Sequence, residues 1–126
     1  MQIAEIRIAR ILGQFSELID HILPLEIDEG FLKIIIFLKD DTNLRVTERW
    51  VNKNMDDYSY YWLDKNNKLK IGWDNASHHT QLKNFPHHKH IGSSANRVPS
   101  YETNLESVME TIESLIKKQT DNESVA

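Results

Sequence analysis

Five of the six histidines in this chain lie within thirteen consecutive positions, in a segment that reads WDNASHHTQLKNFPHHKH. Imidazole gains and loses a proton near neutral pH, so two histidines can act as base and acid when a ribose 2′-hydroxyl attacks a phosphodiester. The reaction also needs a cation for the phosphate charge, and a carboxylate can orient one imidazole. We therefore predict acid–base roles for four histidines, phosphate stabilisation by a lysine and an orienting role for an aspartate: His78, His79, His88, His90, Lys89 and Asp74.

The charge of the chain is unevenly distributed. The 126 residues carry a net charge of −4, but between positions 65 and 97 six basic residues stand against one acidic residue. That segment therefore carries +5 and the remainder −9. A basic segment on an acidic chain favours an anionic ligand such as RNA. We predict that the substrate is bound by side chains within or beside this segment: His87, Arg97, Lys70, Trp73 and Asn75.

Other chemistry is open to the same segment. Neutral imidazoles and a carboxylate also bind zinc, nickel or copper, although no HExxH helix or comparable metal motif is present. We predict no required metal or other cofactor, with zinc or nickel at the histidine-rich loop left open. Two other functions also stay open. One is a non-catalytic module that binds a metal or a partner, and the other is an enzyme that modifies RNA or a nucleotide. The lack of a glycine-rich phosphate loop counts against the second.

Two further candidates come from the strands before the histidines. Glu48 lies on the otherwise apolar side of the alternating segment 44–51, where a carboxylate should be paired or functional. Tyr60 and Trp62 share one face of the aromatic segment 58–64. We expect Trp62 in the core and keep Tyr60 as a candidate that donates a hydrogen bond to phosphate. Glu48 and Tyr60 are therefore added to the predicted catalytic set.

These side chains must be positioned by a small number of elements. Apolar residues at helical spacing predict an N-terminal helix over 3–23, ended by Pro24. The stretch 74–100 shows no period and is predicted to be a long loop that carries the site. Thr103 and Glu106 fit the capping box of a C-terminal helix. Between the N-terminal helix and the loop, short segments with strand patterns predict an antiparallel meander of four strands: 31–39, 44–51, 58–64 and 69–73.

The predicted fold class is therefore α+β, with an N-terminal helix, a four-stranded meander, a long histidine-rich loop and a C-terminal helix. Residues 1–119 are predicted to form a single domain and 120–126 a polar tail. The chain has no cysteine, which excludes disulfides, thiolate metal ligands and a cysteine nucleophile. The apolar run 34–38 is far shorter than the ~20 residues that a membrane span needs. Charged residues interrupt the first ten positions, so we predict no signal peptide, no membrane association and a cytoplasmic location.

Four short motifs resemble the TumE-like family of small toxins from bacterial and archaeal toxin–antitoxin systems. The resemblance extends over 44–116, and Ser77 departs from it, because the family usually has proline there and a stiffer loop. The matching motifs are YSYYW at 58–62, WDNASHH at 73–79, FPHHKH at 85–90 and the Pro-Ser pair at 99–100.

The resemblance implies a toxin that inhibits translation and is paired with a cognate antitoxin protein. A helix followed by four antiparallel strands is also similar to the RelE and barnase-like ribonuclease toxins, by analogy of fold alone. The acidic pI of about 5.8 departs from ribosome-dependent toxins, which are usually basic. We therefore predict a type II toxin that cleaves mRNA, tRNA or rRNA without a metal, by histidine acid–base catalysis. A homodimer stays open.

Overall fold

A computed structural model describes residues 3–75, 87–93 and 96–125, and within these ranges the elements run helix, seven strands, helix. Helix α1 spans Ile3–Gln14 and helix α2 spans Leu105–Val125. The predicted α+β class and the two terminal helices are confirmed. Neither of these helices combines the length and the apolar character that crossing a membrane requires. The strands are β1 Ile19–Asp28, β2 Phe31–Leu38, β3 Asn43–Val51, β4 Asn54–Leu63, β5 Leu69–Asp74, β6 His88–Ile91 and β7 Arg97–Pro99.

The strands form one antiparallel sheet in sequence order, so that β1 and β7 lie at its two edges. The predicted four-stranded meander corresponds to β2–β5, but the count was wrong for the described chain. Strand β1 begins in the segment that was assigned to the N-terminal helix and continues beyond Pro24, and β6 and β7 lie in the segment that was assigned to the loop. One of the three additional strands, β6, therefore carries two of the histidines, and β7 pairs with it.

Strand β1 shows why the helix prediction failed beyond Gln14. Phe15, Leu18 and Ile19 are buried as their spacing suggested, but they lie in a turn and at the start of a strand. The spacing of these apolar residues indicated that they are buried, but it did not indicate a helix. Pairing with β2 gives the backbone of β1 its hydrogen-bond partners, and this outweighs local helical spacing. Pro24 is accommodated beside a register irregularity on this edge strand, where proline is tolerated.

One face of the sheet packs against both helices and forms the core. The residues Ile34, Val46, Tyr60 and Trp73 are paired across adjacent strands and are at most 1% exposed. Helix α2 buries one side against this core, through Leu105, Val108, Met109 and Ile112. Because successive strand residues point to opposite faces, the residues between these lie on the second face. We call this second face the helix-free face, since neither α1 nor α2 packs on it.

Helix α2 begins one residue later than the predicted capping box. The backbone amide of Ser107 donates to Asn104 Oδ1 at 2.8 Å, and the Asn104 amide lies 3.3 Å from Ser107 Oγ. This reciprocal pair satisfies amides that the first turn leaves without partners. Glu106, which was predicted to close the box with Thr103, instead contacts Arg7 of α1. The first turn of α2 is thereby tied to the N-terminal helix.

Candidate functional site

Strand β6 separates the charged residues of the HKH motif onto opposite faces of the sheet. His88 pairs with Asp74 of β5, and His90 pairs with Gly72, so both histidines lie on the helix-free face. Lys89 lies between them, pairs with Trp73 and points to the helix-covered face. A strand has a side-chain period of two, which makes this separation obligatory once the segment is extended. The histidines therefore meet Asp74, whereas Lys89 does not.

Asp74, His88 and His90 form a compact buried group, which we call the Asp–His–His cluster. Asp74 Oδ1 lies 2.6 Å from His88 Nε2, and Asp74 Oδ2 lies 3.1 Å from His90 Nε2. The two imidazole rings are 5.0 Å apart, centroid to centroid, and nearly perpendicular at 82°. His88 is 1% exposed, and the other two residues are 7% exposed. One carboxylate thus connects two imidazoles through separate oxygens, away from solvent.

Tyr61 joins the cluster to the surface, and the sequence reasoning missed it. Its pKa is raised by burial, by the charge of Asp74 and by a side-chain hydrogen bond with Asp74. The side chain is half-buried, whereas Asp74 is almost fully buried. Its ring lies against Gly72, where a Cβ atom would be 2.5 Å from Tyr61 Cδ1. The alternation of side chains in the YSYYW strand could have identified Tyr61, because it places Tyr61 and Tyr60 on opposite faces of the sheet.

The helix-free face around the cluster carries cationic side chains. Residues paired across adjacent strands form a register row on one face of the sheet. The row that contains His90 also contains Arg45 of β3 and Arg97 of β7, and both arginines are exposed. The row that contains Asp74 and His88 continues across the sheet to Lys33 of β2, which is also exposed. Cations on one surface attract polyanions such as nucleic acid. Among the predicted substrate-binding residues, Arg97 is therefore on the same face as the cluster.

His87 lies on the other side of the sheet from the cluster and is half-buried. Its Nδ1 is 2.9 Å from the hydroxyl of Tyr58, and the two rings are stacked with centroids 5.8 Å apart. Burial and the neighbouring His88 lower the pKa of His87. Asn75, which was predicted to bind substrate, accepts a hydrogen bond from the Tyr58 amide at 3.0 Å. Asn75 thus binds the backbone of β4 at Tyr58, the residue whose ring stacks on His87.

Glu48 and Tyr60 lie in a second buried group, away from the Asp–His–His cluster. Both carboxylate oxygens of Glu48 accept from Arg7, at 3.2 and 2.9 Å, and the Tyr60 hydroxyl donates to Glu48 Oε2 at 2.6 Å. The indole of Trp50 donates to Glu48 Oε1 at 3.2 Å. Burial lowers the pKa of Arg7, but the bonds and charges of Glu48 and Glu106 outweigh it, so the pKa is raised. From the sequence, Glu48 was expected to be either paired or functional. In the structure Glu48 is paired.

This second group occupies the helix-covered face and connects α1, β3 and β4. Burial and the Glu48 charge raise the pKa of Tyr60 far above its usual value, so its hydroxyl stays protonated. Glu48 and Tyr60 are both 0% exposed. The structure accordingly does not bring them together with the histidines, and their predicted catalytic roles stay predictions.

Three other predicted residues also lie on the helix-covered side. Lys89 Nζ is 3.3 Å from Glu102 Oε1, so its charge is partnered within the protein. Trp73 is fully buried, and its indole N–H has no acceptor among the described residues. Lys70 Nζ lies 4.8 Å from the ring centroid of Trp62, which is 4% exposed and belongs to the core, as predicted. Substrate contact by these three residues stays a prediction that their placement does not favour.

His78 and His79 lie outside the described residues, so their predicted roles are neither supported nor opposed by the structure. For the remainder, the geometry offers two kinds of chemistry at the Asp–His–His cluster. Its imidazoles can hold and move protons under the influence of one carboxylate. Alternatively, two imidazole nitrogens and a carboxylate oxygen lie within 4.8 Å of one another and could hold a metal ion.

Comparisons with known proteins give one match. A family model described as Toxin TumE matches residues 8–117 of the chain. No curated protein and no solved structure matches it. The match extends from α1 into α2 and therefore includes every element that carries the cluster. The predicted likeness to RelE and barnase-like toxins stays an analogy.

Proposed function

The chain belongs to the TumE toxin family, and on that premise we propose that it acts by cleaving RNA, with the histidines of β6 transferring the protons. The toxin role follows from the family, which also implies an antitoxin as partner. Inhibition of translation is the expected consequence when the RNA is an mRNA, tRNA or rRNA. The reaction, the RNA substrate and the residues involved are the parts that we propose.

The observation that carries the proposal is the Asp–His–His cluster beneath a cationic surface. Cleavage without a metal requires a base, an acid and positive charge near the phosphate. His88 and His90 share the carboxylate of Asp74, and Arg45 and Arg97 are exposed in the register row of His90. The same face thus combines proton-transferring groups with groups that bind phosphate.

In the proposed reaction, one imidazole removes the proton from a ribose 2′-hydroxyl. The 2′-oxygen then bonds to the adjacent phosphorus while the bond from phosphorus to the 5′-oxygen breaks. A second protonated group supplies the proton that the leaving 5′-oxygen takes up. The products are a 2′,3′-cyclic phosphate and a 5′-hydroxyl, and the atoms balance without water or an oxidant.

The burial of His88 and His90 limits how the Asp–His–His cluster could contact the RNA. His88 and His90 are almost fully buried, so a direct contact with a phosphodiester is sterically unfavourable in this conformation. The charge of Asp74 contributes to the raised pKa of Tyr61, and Tyr61 is half-exposed, so we propose it as the side chain that relays a proton between cluster and substrate. His87 lies on the other side of the sheet, so its predicted contact with the RNA stays a prediction that its placement does not favour.

RNA cleavage by the purified protein, with and without EDTA, tests this proposal. We expect cleavage that resists EDTA and leaves 2′,3′-cyclic phosphate ends, detected by end labelling and mass spectrometry. His88→Gln and His90→Gln should each reduce the rate by a factor of about 10²–10⁴, the usual contribution of acid–base catalysis. His21→Gln is the matched control, because His21 also contacts a carboxylate, Asp20 at 2.6 Å, but lies exposed on β1.

Two results would refute the proposal. Wild-type rates in both His88→Gln and His90→Gln would remove the cluster from the reaction. Intact RNA that gains mass after exposure to the protein would replace cleavage with modification chemistry. Circular dichroism and thermal unfolding of each variant show whether a loss of activity reflects loss of the fold.

A further inference from the structure

We propose that Asp74, His88 and His90 form a binding site for one divalent transition-metal ion of the zinc class. The inference concerns binding by the folded protein and does not rest on the proposed RNA cleavage. Zinc, cobalt, nickel and copper favour imidazole nitrogen and accept carboxylate oxygen, whereas magnesium and calcium prefer oxygen ligands alone. Two imidazoles and one carboxylate therefore select this class of ion.

The spacing of the three donors is close to what the ion needs. Bonds of about 2.0–2.1 Å to a tetrahedral zinc place its ligand atoms ~3.3 Å apart. In the structure the carboxylate oxygens lie 2.6 and 3.1 Å from the two Nε2 atoms, and the donors all fall within 4.8 Å of one another. A metal ion would lie between the carboxylate and the two Nε2 atoms, where these close contacts now are. Small outward movements of the side chains are sufficient to admit it.

The backbone fixes the three ligands before any ion binds. His88 stands directly opposite Asp74 in the β5–β6 register, and His90 follows two positions along the same strand. Both imidazoles thus project from the same face of β6, and the carboxylate projects from the adjacent strand β5. Ligands held by paired strands lose less conformational freedom on binding than ligands on a loop. This arrangement distinguishes the cluster from a chance grouping of surface side chains.

Burial and the surrounding hydrogen bonds also suit an ion. All three ligands are at most 7% exposed, so the ion would be largely withdrawn from competing water. The half-buried ring of Tyr61 lies against Gly72, the register partner of His90, so it borders the site. Gly72 leaves space for the Tyr61 ring to lie across β5 and reach the carboxylate.

Binding and acid–base catalysis would compete for the same two nitrogens. An Nε2 atom that coordinates a metal has no lone pair with which to accept a proton. If the proposed RNA cleavage is correct, saturation with zinc should therefore inhibit it. The metal proposal is tested independently of this consequence, by measurements that contain no RNA.

The experiment uses the full-length chain without a histidine tag, stripped with EDTA and dialysed. Titration with Co²⁺, followed by its visible absorption bands and by calorimetry, should show an ion bound to the cluster that Zn²⁺ displaces. Asp74→Asn, His88→Gln and His90→Gln should each weaken Co²⁺ binding by at least about tenfold, in line with the strong dependence of metal sites on their ligands and outer contacts. His21→Gln should leave the affinity unchanged.

A second measurement avoids the risk that a buried variant fails to fold. Nitrogen-15 NMR of the wild-type imidazoles, recorded before and after Zn²⁺ is added, identifies which ring nitrogens become ligands. We expect the Nε2 signals of His88 and His90 to shift when Zn²⁺ is added. Absence of Co²⁺ binding, or shifts confined to other histidines, would overturn the proposal.

Discussion

Replacing Arg7 with methionine should destabilise the protein strongly, because Glu48 would keep a buried charge without its counterion. Arg7 is 8% exposed and Glu48 is 0% exposed, and the guanidinium donates to both carboxylate oxygens. The hydrogen bonds from Tyr60 and Trp50 would remain, but neither donor carries a positive charge. Methionine retains much of the arginine stem, so lost packing contributes little to the expected effect.

The expected magnitude follows from the burial of the pair. Removing one partner of a buried ion pair costs about 3–5 kcal/mol, because the other charge is left uncompensated. Glu48→Gln in the same protein removes that charge and still offers an acceptor to Tyr60. The double variant should therefore be more stable than Arg7→Met alone, although each single variant is destabilised. Arg45→Met, at an exposed arginine on the helix-free face, should change stability by less than about 0.5 kcal/mol.

Urea denaturation followed by tryptophan fluorescence measures all four variants. The midpoint should fall for Arg7→Met, recover in part for the double variant and stay near wild type for Arg45→Met, at similar slopes. A loss below about 1 kcal/mol for Arg7→Met would refute the claim that Glu48 depends on it. Additive losses in the double variant would show that the two residues do not act as a pair. RNA cleavage by folded Glu48→Gln also tests the catalytic role predicted for Glu48.

Two further variants test other contacts. Gly72→Ala places a methyl group 2.5 Å from Tyr61 Cδ1, so it should lower stability by about 1–3 kcal/mol in urea denaturation, and Tyr61→Ala should relieve the loss. Equal losses with and without the Tyr61 ring would contradict that steric explanation. Burial raises the pKa of Glu102, but backbone hydrogen bonding and the charge of Lys89 outweigh it and the pKa is lowered. The resulting stabilisation is present above the ordinary carboxyl pKa and is lost as pH falls through the lowered value. Glu102→Gln should therefore be less stable than wild type near pH 7 and converge with it in acid, and a gap that persists in acid would exclude this linkage.

The sequence identified candidate site residues whose roles stay predictions, and it predicted several of the surrounding elements wrongly. The histidine-rich motifs, Asp74 and the TumE resemblance were all readable in the chain, and the family match agrees with the last of these. The helix over 3–23 was wrong beyond Gln14, since apolar spacing reports burial and β1 is buried in part. Strands β6 and β7 were missed because they are four and three residues long, too short to show a period.

Local sequence determined the α+β class, the order of the central strands, the terminal helices and the concentration of imidazoles in one segment. These properties depend on residue type and on spacing within a few positions, which a single chain displays directly. Only the tertiary structure decided which side chains meet. It placed His88 and His90 with Asp74, turned Lys89 to the opposite face, brought Tyr61 to the cluster and joined Glu48 to Arg7. The physical reason is strand pairing: the register between β5 and β6 fixes neighbours and faces, and no local pattern specifies that register.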